Sequence, residues 1–121
     1  MVIKKILAVD DSKVDLINIQ TIISNAGYEV ITASSGAEAI EKAANEKPDL
    51  IFMDVVMQHM DGYQACRELT HNADTKNIPI IFVTSKGQKA DRVWAEMTGG
   101  KGLVQKPYTA EQIVEQINQV K

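Results

Sequence analysis

The chain has 121 residues, of which 45% are hydrophobic and 24% charged, so it fits one compact soluble domain and leaves no room for a second. Its net charge of −3 provides no basic surface for nucleic acid or an anionic membrane. No apolar run could cross a membrane, residues 1–5 lack the apolar segment of a secretory signal, and a single cysteine excludes an internal disulfide. We therefore expect a cytoplasmic monomer that neither inserts into membranes nor binds nucleic acid.

The pattern of apolar residues predicts five repeats of a strand followed by a helix. The strands are expected at residues 4–9, 29–33, 50–53, 80–83 and 103–105. The helices are expected at residues 12–26, from 35, at 62–70, at 89–98 and from 109. Gly27 is expected to end the first helix, and Ser35 with Glu38 and Thr109 with Gln112 match the capping box that opens a helix.

Hydrophobic spacing of three and four residues predicts which helix faces are buried. The residues on these faces are Leu16, Ile19, Ile23 and Ala26 in the first helix, Tyr63, Cys66 and Leu69 in the third, and Ile113, Ile117 and Val120 in the last. Cys66 is therefore interpreted as a small core residue rather than a nucleophile.

The composition of the strands predicts their order. The first, third and fourth runs are continuously apolar, which is typical of parallel strands covered on both faces. The second is mixed and the fifth is brief, so both are expected at the edges. Right-handed crossovers then permit the order 2-1-3-4-5, an α/β fold of the doubly wound (βα)5, flavodoxin-like kind over residues 1–121.

Polar residues stand where four of these five runs end. Asp10 and Asp11 follow the first, Asp54 the third, Thr84 the fourth and Lys106 the fifth. The carboxyl ends of parallel strands meet at one edge of a sheet, where ligands bind. We therefore expect one acidic pocket with one cation and one hydroxyl.

Such a pocket suits phosphoryl chemistry on an aspartate. Carboxylates this close cannot all stay ionised unless a cation joins them. Mg²⁺, or Mn²⁺ in its place, takes one or two carboxylates and completes its shell with water and phosphate oxygens. A remaining carboxylate could act as a nucleophile and form an acyl phosphate, with Lys106 as a point charge and Thr84 as a hydrogen-bond donor.

Each of these polar residues also has a simpler interpretation when it is taken alone. Asp10 and Asp11 could belong to a helix cap, Asp54 to a turn, Thr84 to another cap, and Lys106 to a solvated edge. Taken together, these interpretations would need four coincidences at the ends of four strands. The combined pattern therefore favours a functional site.

Five motifs in this order and spacing resemble the CheY-like receiver domain of two-component response regulators. They are Val9-Asp10-Asp11-Ser12, Met53-Asp54-Val55-Val56-Met57, Met60-Asp61-Gly62, Val83-Thr84-Ser85 and Lys106-Pro107. The resemblance covers essentially the whole chain. It implies a single receiver domain without an output domain, which takes a phosphoryl group from a histidine kinase and is not an enzyme beyond its own phosphorylation and dephosphorylation.

The resemblance also implies a role for each site residue. Asp54 would be the phosphoacceptor, Lys106 the cation paired with the phosphoryl group, and Thr84 the switch hydroxyl. Mg²⁺ would be held directly by Asp11, Asp54 and the Val56 backbone carbonyl, and through water by Asp10. It further implies a cis peptide bond between Lys106 and Pro107.

The chain departs from the family pattern at two positions, and two further positions bear on the lifetime of the phosphoryl group. Gln58 stands where the family often has proline, which predicts a less rigid loop. Leu103 stands where the family has its aromatic switch residue, which predicts a muted or differently built switch. Val56 and Lys86 occupy the two positions that tune phosphoryl lifetime, and their side chains predict slow self-hydrolysis.

Trp94 lies on the fourth helix, which with strand five and helix five forms the family's output surface. If Val93 and Met97 point inward, Trp94 is partly exposed and could anchor a partner; alternatively it packs over the last helix. The Val-Trp segment resembles single-domain receivers of the chemosensory pathway for type IV pili and twitching motility. That resemblance implies a chemotaxis-type sensor histidine kinase upstream and a protein target downstream.

Four other functions share some of these features. A phosphate sink would use the same chemistry without a downstream target, and a receiver fragment of a transcriptional regulator would have the same sequence features. An aspartyl-phosphate phosphatase would need a second aspartate where Val56 stands. A flavodoxin would need hydroxyls and glycine in place of Asp10 and Asp11.

Overall fold

The computed structural model describes residues 2–85 and 89–121, in which five strands alternate with five helices. The strands are β1 (Lys5–Val9), β2 (Glu29–Ala33), β3 (Leu50–Asp54), β4 (Ile80–Thr84) and β5 (Gly102–Gln105). The helices are α1 (Lys13–Asn25), α2 (Gly36–Glu46), α3 (Gly62–Thr70), α4 (Lys89–Met97) and α5 (Ala110–Val120). In this part of the chain no helix has the length and apolar character needed to span a membrane.

The strands form one parallel sheet in the order β2-β1-β3-β4-β5, which confirms the predicted fold. Val9 of β1 pairs with Met53 of β3, and Thr84 of β4 pairs with Gln105 of β5. The residues that follow these positions therefore emerge at the same edge of the sheet.

Alternation along the strands divides the interior into two apolar cores, one on each face of the sheet. In β3, Ile51 and Met53 pack with residues of α2, α3 and α4, which we call the α2–α4 core. Leu50 and Phe52 pack with residues of α1 and α5, which we call the α1–α5 core. Because both faces are covered, every residue of β3 is buried, as its continuous apolar run predicted.

The buried face of α1 is shorter than the sequence indicated. Ile19 and Ile23 are buried and Leu16 is half-buried, but Ala26 is exposed. Ala26 is the C-terminal cap, just beyond the last helical residue, and Gly27 follows with a φ of 97°. Glycine adopts this left-handed conformation without steric cost, which explains why the helix ends there.

Only one of the two predicted capping boxes is complete. In α5, Thr109 accepts a bond from the Gln112 backbone and the Gln112 side chain accepts one from the Thr109 backbone. In α2, Ser35 accepts a bond from the Glu38 backbone, but the Glu38 carboxylate bonds to the backbone and hydroxyl of Ser34. The Glu38 carboxylate therefore bonds to Ser34 rather than to the Ser35 backbone, because the Ser34 hydroxyl supplies a second donor.

Gly62 allows α3 to begin directly against the end of β3. Its N–H donates to the Val55 carbonyl at 2.8 Å. A Cβ at this position would lie 2.3 Å from the Asp54 carbonyl oxygen and 3.0 Å from the Val55 Cα. Both atoms belong to the backbone, so neither can move aside without shifting the chain that carries Asp54.

We predict that Gly62→Ala lowers the free energy of unfolding by about 2–3 kcal/mol, because the added methyl group overlaps backbone atoms. The matched control is Gly102→Ala, whose Cβ would meet the flexible end of the Gln116 side chain at 2.6 Å. That side chain can rotate away, so the control should lose less than about 1 kcal/mol. Urea unfolding of both variants tests this, and equal losses would contradict it.

Candidate functional site

The pairing of β1 with β3 brings two buried aspartates together. Val9 pairs with Met53, so Asp10 and Asp54, the next residues, lie side by side. Alternation places both on the face of the sheet that α1 and α5 cover. Asp10 is 3% exposed and Asp54 is 5% exposed, so these carboxylates are almost fully removed from water.

Asp11 completes a group of three carboxylates. One oxygen each of Asp10, Asp11 and Asp54 lies within 4.8 Å of the others. They border a cavity of about 240 Å³, whose lining residues are Asp10, Asp11, Ser12, Asp15, Asp54, Val56, Ser85 and Lys106. This arrangement confirms that the predicted acidic residues converge at one edge of the sheet.

Lys106 reaches into this cavity from the end of β5. Its ammonium lies 2.9 Å from Asp10 Oδ2, 3.0 Å from Asp15 Oδ2 and 3.4 Å from Asp54 Oδ1. Burial opposes its charge, but the hydrogen bonds to Asp10 and Asp15 and the charge of Asp54 outweigh burial and raise the Lys106 pKa. The lysine is therefore held as a permanent cation among the carboxylates.

Burial raises the pKa of Asp54 to about 6, and the neighbouring charge of Asp10 acts in the same direction. Lys106 opposes this shift without cancelling it. The ionised form of Asp54 is thus costly in the metal-free protein, since burial and the neighbouring carboxylate both disfavour its charge. A divalent cation at the cavity would favour the ionised form.

The donor set fits a hard divalent cation. Carboxylate oxygens are the ligands that Mg²⁺ prefers, and the cavity leaves space for water. Both oxygens of Asp10 already accept hydrogen bonds, one from the Ser12 backbone at 2.9 Å and one from Lys106. Asp11 is exposed and its Oδ2 accepts a bond from the Gln58 N–H at 3.3 Å.

Thr84 does not line the cavity, although the sequence predicted that its hydroxyl would meet the acids. Phe82 packs in the α2–α4 core, so alternation places Thr84 on that face, opposite the face of Asp54. Thr84 is 1% exposed. The hydroxyl residues lining the cavity are Ser12 and Ser85, the neighbour of Thr84, and the role of Thr84 as switch hydroxyl stays a prediction.

The residues predicted to tune the site lie in different environments. Val56 lines the cavity with a side chain that is 55% exposed, whereas Leu103 is buried in the α2–α4 core. Lys86 lies outside the described residues. The Lys106-Pro107 bond is cis, as the resemblance implied.

Trp94 is 43% exposed on α4, but its neighbours differ from the expectation. Val93 and Met97 are exposed too, so neither points inward, and Ala95 is the residue of this stretch that enters the core. The Trp94 ring meets Tyr63 of α3 edge to face, with centroids 6.1 Å apart.

Three groups at the cavity were not predicted from the sequence. Asp15 pairs with Lys106, Ser85 lines the cavity, and the Gln58 N–H contacts Asp11. Asp15 carried a usable signal, because it lies in the first turn of the helix that begins just after Asp11. The Gln58 contact involves only the backbone and has no signature in residue type.

Comparison with known proteins places these residues in a family. The sequence model of the response regulator receiver domain family matches residues 6–118. Protein PilH of Pseudomonas aeruginosa is 38% identical over 116 residues, which cover 96% of each chain.

Solved structures agree with this placement. Chemotaxis protein CheY4 of Vibrio cholerae superposes with a TM-score of 0.93 at 30% identity, covering 99% of this chain and all of that one. The receiver domain of a sensor histidine kinase from P. aeruginosa superposes with a TM-score of 0.89 at 26% identity, covering 98% of this chain and 97% of its own. That structure has a magnesium ion coordinated in the active site cleft.

We predict that the metal-free protein loses stability as pH rises through the range from about 4 to 6. The folded-state pKa of Asp54 is raised to about 6, so in this range the folded state binds more protons than the unfolded state. Asp54→Asn should remove this loss and be more stable than the wild type at pH 7.5, by about 3 kcal/mol.

Urea unfolding in EDTA at pH 4.5 and 7.5 measures the effect. The matched control is Asp74→Asn, since Asp74 is exposed and distant in sequence from the cavity residues. The control should follow the wild-type pH profile. A wild-type pH profile in Asp54→Asn would contradict the prediction, because it would show that ionisation of the Asp54 carboxylate does not destabilise the fold.

Proposed function

The chain belongs to the receiver domain family of response regulators, and from this premise we propose that Asp54 accepts a phosphoryl group from a kinase phosphohistidine in a Mg²⁺-dependent reaction. Mn²⁺ could serve in place of Mg²⁺. One observation carries the proposal. A buried aspartate with a pKa of about 6 stands in an acidic cavity, where the Lys106 ammonium contacts it directly.

In the proposed reaction the ionised carboxylate of Asp54 attacks the phosphorus atom. The bond between phosphorus and the histidine nitrogen breaks as the bond from phosphorus to the Asp54 oxygen forms. The electron pair stays on that nitrogen, and the imidazole leaves neutral because its other ring nitrogen carries a proton. The product is an acyl phosphate on Asp54. A bound metal ion would neutralise part of the negative charge on the phosphoryl oxygens.

Lys106 is the residue best placed to pair with the incoming phosphoryl group. Its ammonium already lies 3.4 Å from Asp54 Oδ1, so only a short movement would bring it to an oxygen bound to phosphorus. In the unphosphorylated protein, the salt bridges to Asp10 and Asp15 hold the Lys106 ammonium at the cavity. The side chain is therefore positioned before the reaction, which lowers the cost of ordering it during transfer.

The aspartates would bind the metal ion in two ways, directly and through water. Asp11 and Asp54 are proposed as direct ligands, together with the backbone carbonyl of Val56. Asp10 would act through water, because the Ser12 backbone and Lys106 already bond to its two oxygens. The magnesium ion in the cleft of the related receiver domain supports this assignment.

We place the protein in a chemosensory pathway of the kind that controls pilus motility. The similarity to PilH, which extends over 96% of both chains, supports this placement. The phosphodonor would then be a chemotaxis-type histidine kinase, and a downstream protein would recognise the surface formed by α4, β5 and α5. The exposed Val93, Trp94 and Met97 on α4 give that surface its apolar contact residues.

Incubation with Mg²⁺ and acetyl phosphate should add one phosphoryl group to the wild-type protein, detectable by intact-protein mass spectrometry. Asp54→Ala removes the nucleophile and EDTA removes the metal ion, so either change should abolish labelling. Asp74→Ala, which alters an exposed aspartate, should be labelled like the wild type. Labelling that persists in Asp54→Ala would place the acceptor elsewhere and overturn the proposal.

Val56→Asn should shorten the lifetime of the phosphorylated protein. The exposed valine lines the cavity but cannot hydrogen-bond an attacking water, whereas an asparagine amide can. We expect self-dephosphorylation at least about threefold faster, equivalent to ~0.7 kcal/mol in the barrier. Release of phosphate after removal of the donor measures the rate, and Val93→Asn, on α4, is the matched control. An unchanged rate would exclude a role for Val56 in lifetime.

A further inference from the structure

Asp11 is an unusual metal ligand because it is the exposed member of the three carboxylates. Asp10 and Asp54 are fixed by burial, but an exposed side chain loses rotamer freedom when it binds an ion. The contact that holds Asp11 comes from the loop between β3 and α3. There the backbone N–H of Gln58 donates to Asp11 Oδ2 at 3.3 Å.

The Gln58 amide is itself held by a tight turn. The N–H of Met60 donates to the Gln58 carbonyl at 2.7 Å, a bond that spans only two residues. The central residue, His59, has a φ of 68°. A hydrogen bond of this span over a positive φ is the pattern of a γ-turn, a rare and strained conformation for a residue other than glycine.

Both sides of this turn are anchored to the rest of the fold. On one side, the Val55 N–H donates to the Val83 carbonyl of β4 at 3.1 Å. On the other, the Met60 side chain is packed so closely against Gly36 of α2 that a Cβ there would meet the Met60 sulfur at 3.0 Å. The strain at residues 58–60 therefore persists because the surrounding contacts fix both ends of the turn.

We propose that the Gln58 backbone N–H is a positioning group for Asp11, and that the γ-turn at residues 58–60 aims it. This rests on the proposed function, in which Asp11 binds the metal ion. The bond occupies Asp11 Oδ2 and leaves Oδ1 for the ion, so the carboxylate is ordered before the ion arrives. Proline, which often stands at this position in the family, has no N–H, so the contact depends on the departure at Gln58.

Gln58→Pro and Gln58→Ala form a matched pair, because both remove the glutamine side chain and only proline removes the N–H. The probe is Mg²⁺ alone, titrated at constant ionic strength, and the measurement is the shift of backbone amide resonances. Gln58→Pro should bind Mg²⁺ about threefold to tenfold more weakly than the wild type, the range expected for loss of one hydrogen bond to a carboxylate. Gln58→Ala should bind within about twofold of the wild type.

The outcomes separate this inference from the proposed function. No saturable shift in the wild-type protein would refute the metal site and thus the function proposed above. Saturable binding in the wild type with equal affinities in the two Gln58 variants would refute only the role of the Gln58 N–H. Weaker binding in both variants by the same factor would assign the effect to the glutamine side chain and would equally overturn the inference.

A second measurement uses no metal ion and no change in the loop. In metal-free Asp11→Ala, the Gln58 amide proton loses its acceptor, so it should shift upfield and exchange with solvent at least about threefold faster than in the wild type. The Met60 amide, which bonds within the turn, should keep its wild-type exchange rate. Unchanged exchange of the Gln58 amide would overturn the inference even if Gln58→Pro failed to fold.

Discussion

The contact between the Lys106 ammonium and the carboxylates of Asp10, Asp15 and Asp54 is the interaction on which the rest of the site depends. Two of these carboxylates are almost fully buried, and removing a charge from water costs several kcal/mol unless a partner offsets it. One ammonium offsets only part of that cost, which is why the pKa of Asp54 remains raised. The remaining imbalance is what makes the cavity suited to a divalent cation.

The fold tolerates this imbalance because the carboxylates stand at the end of the sheet rather than within it. β1 and β3 are central strands whose apolar residues fill both cores, so their positions are fixed by packing and not by the polar contacts. Such a scaffold can hold like charges close together at its edge. In the function proposed above, this arrangement would serve an aspartate that reacts only when a cation is present.

The sequence predicted the strand order and the meeting of Asp10, Asp11, Asp54 and Lys106, because the ends of apolar runs in a parallel sheet must share an edge. It did not predict the partner of Lys106 on α1, since the reach of a long side chain depends on tertiary packing. The displaced capping bond of Glu38 was missed for a similar reason, because it depends on which neighbouring donor is closer. The placement of Thr84 could have been predicted by applying strand alternation to β4, as Phe82 occupies the same face.

On the face of the sheet that carries the α2–α4 core, β5 contributes a leucine where the family resemblance implied an aromatic switch residue. Leu103 is 7% exposed and packs within that core. The aromatic contacts lie instead between β4, α3 and α4. The ring of Tyr63 meets Phe82 at 4.9 Å and Trp94 at 6.1 Å, and its hydroxyl donates to the Asp91 carbonyl of α4. The phenol that contacts α4 therefore belongs to α3, the helix that begins against the end of the strand carrying the phosphoacceptor candidate.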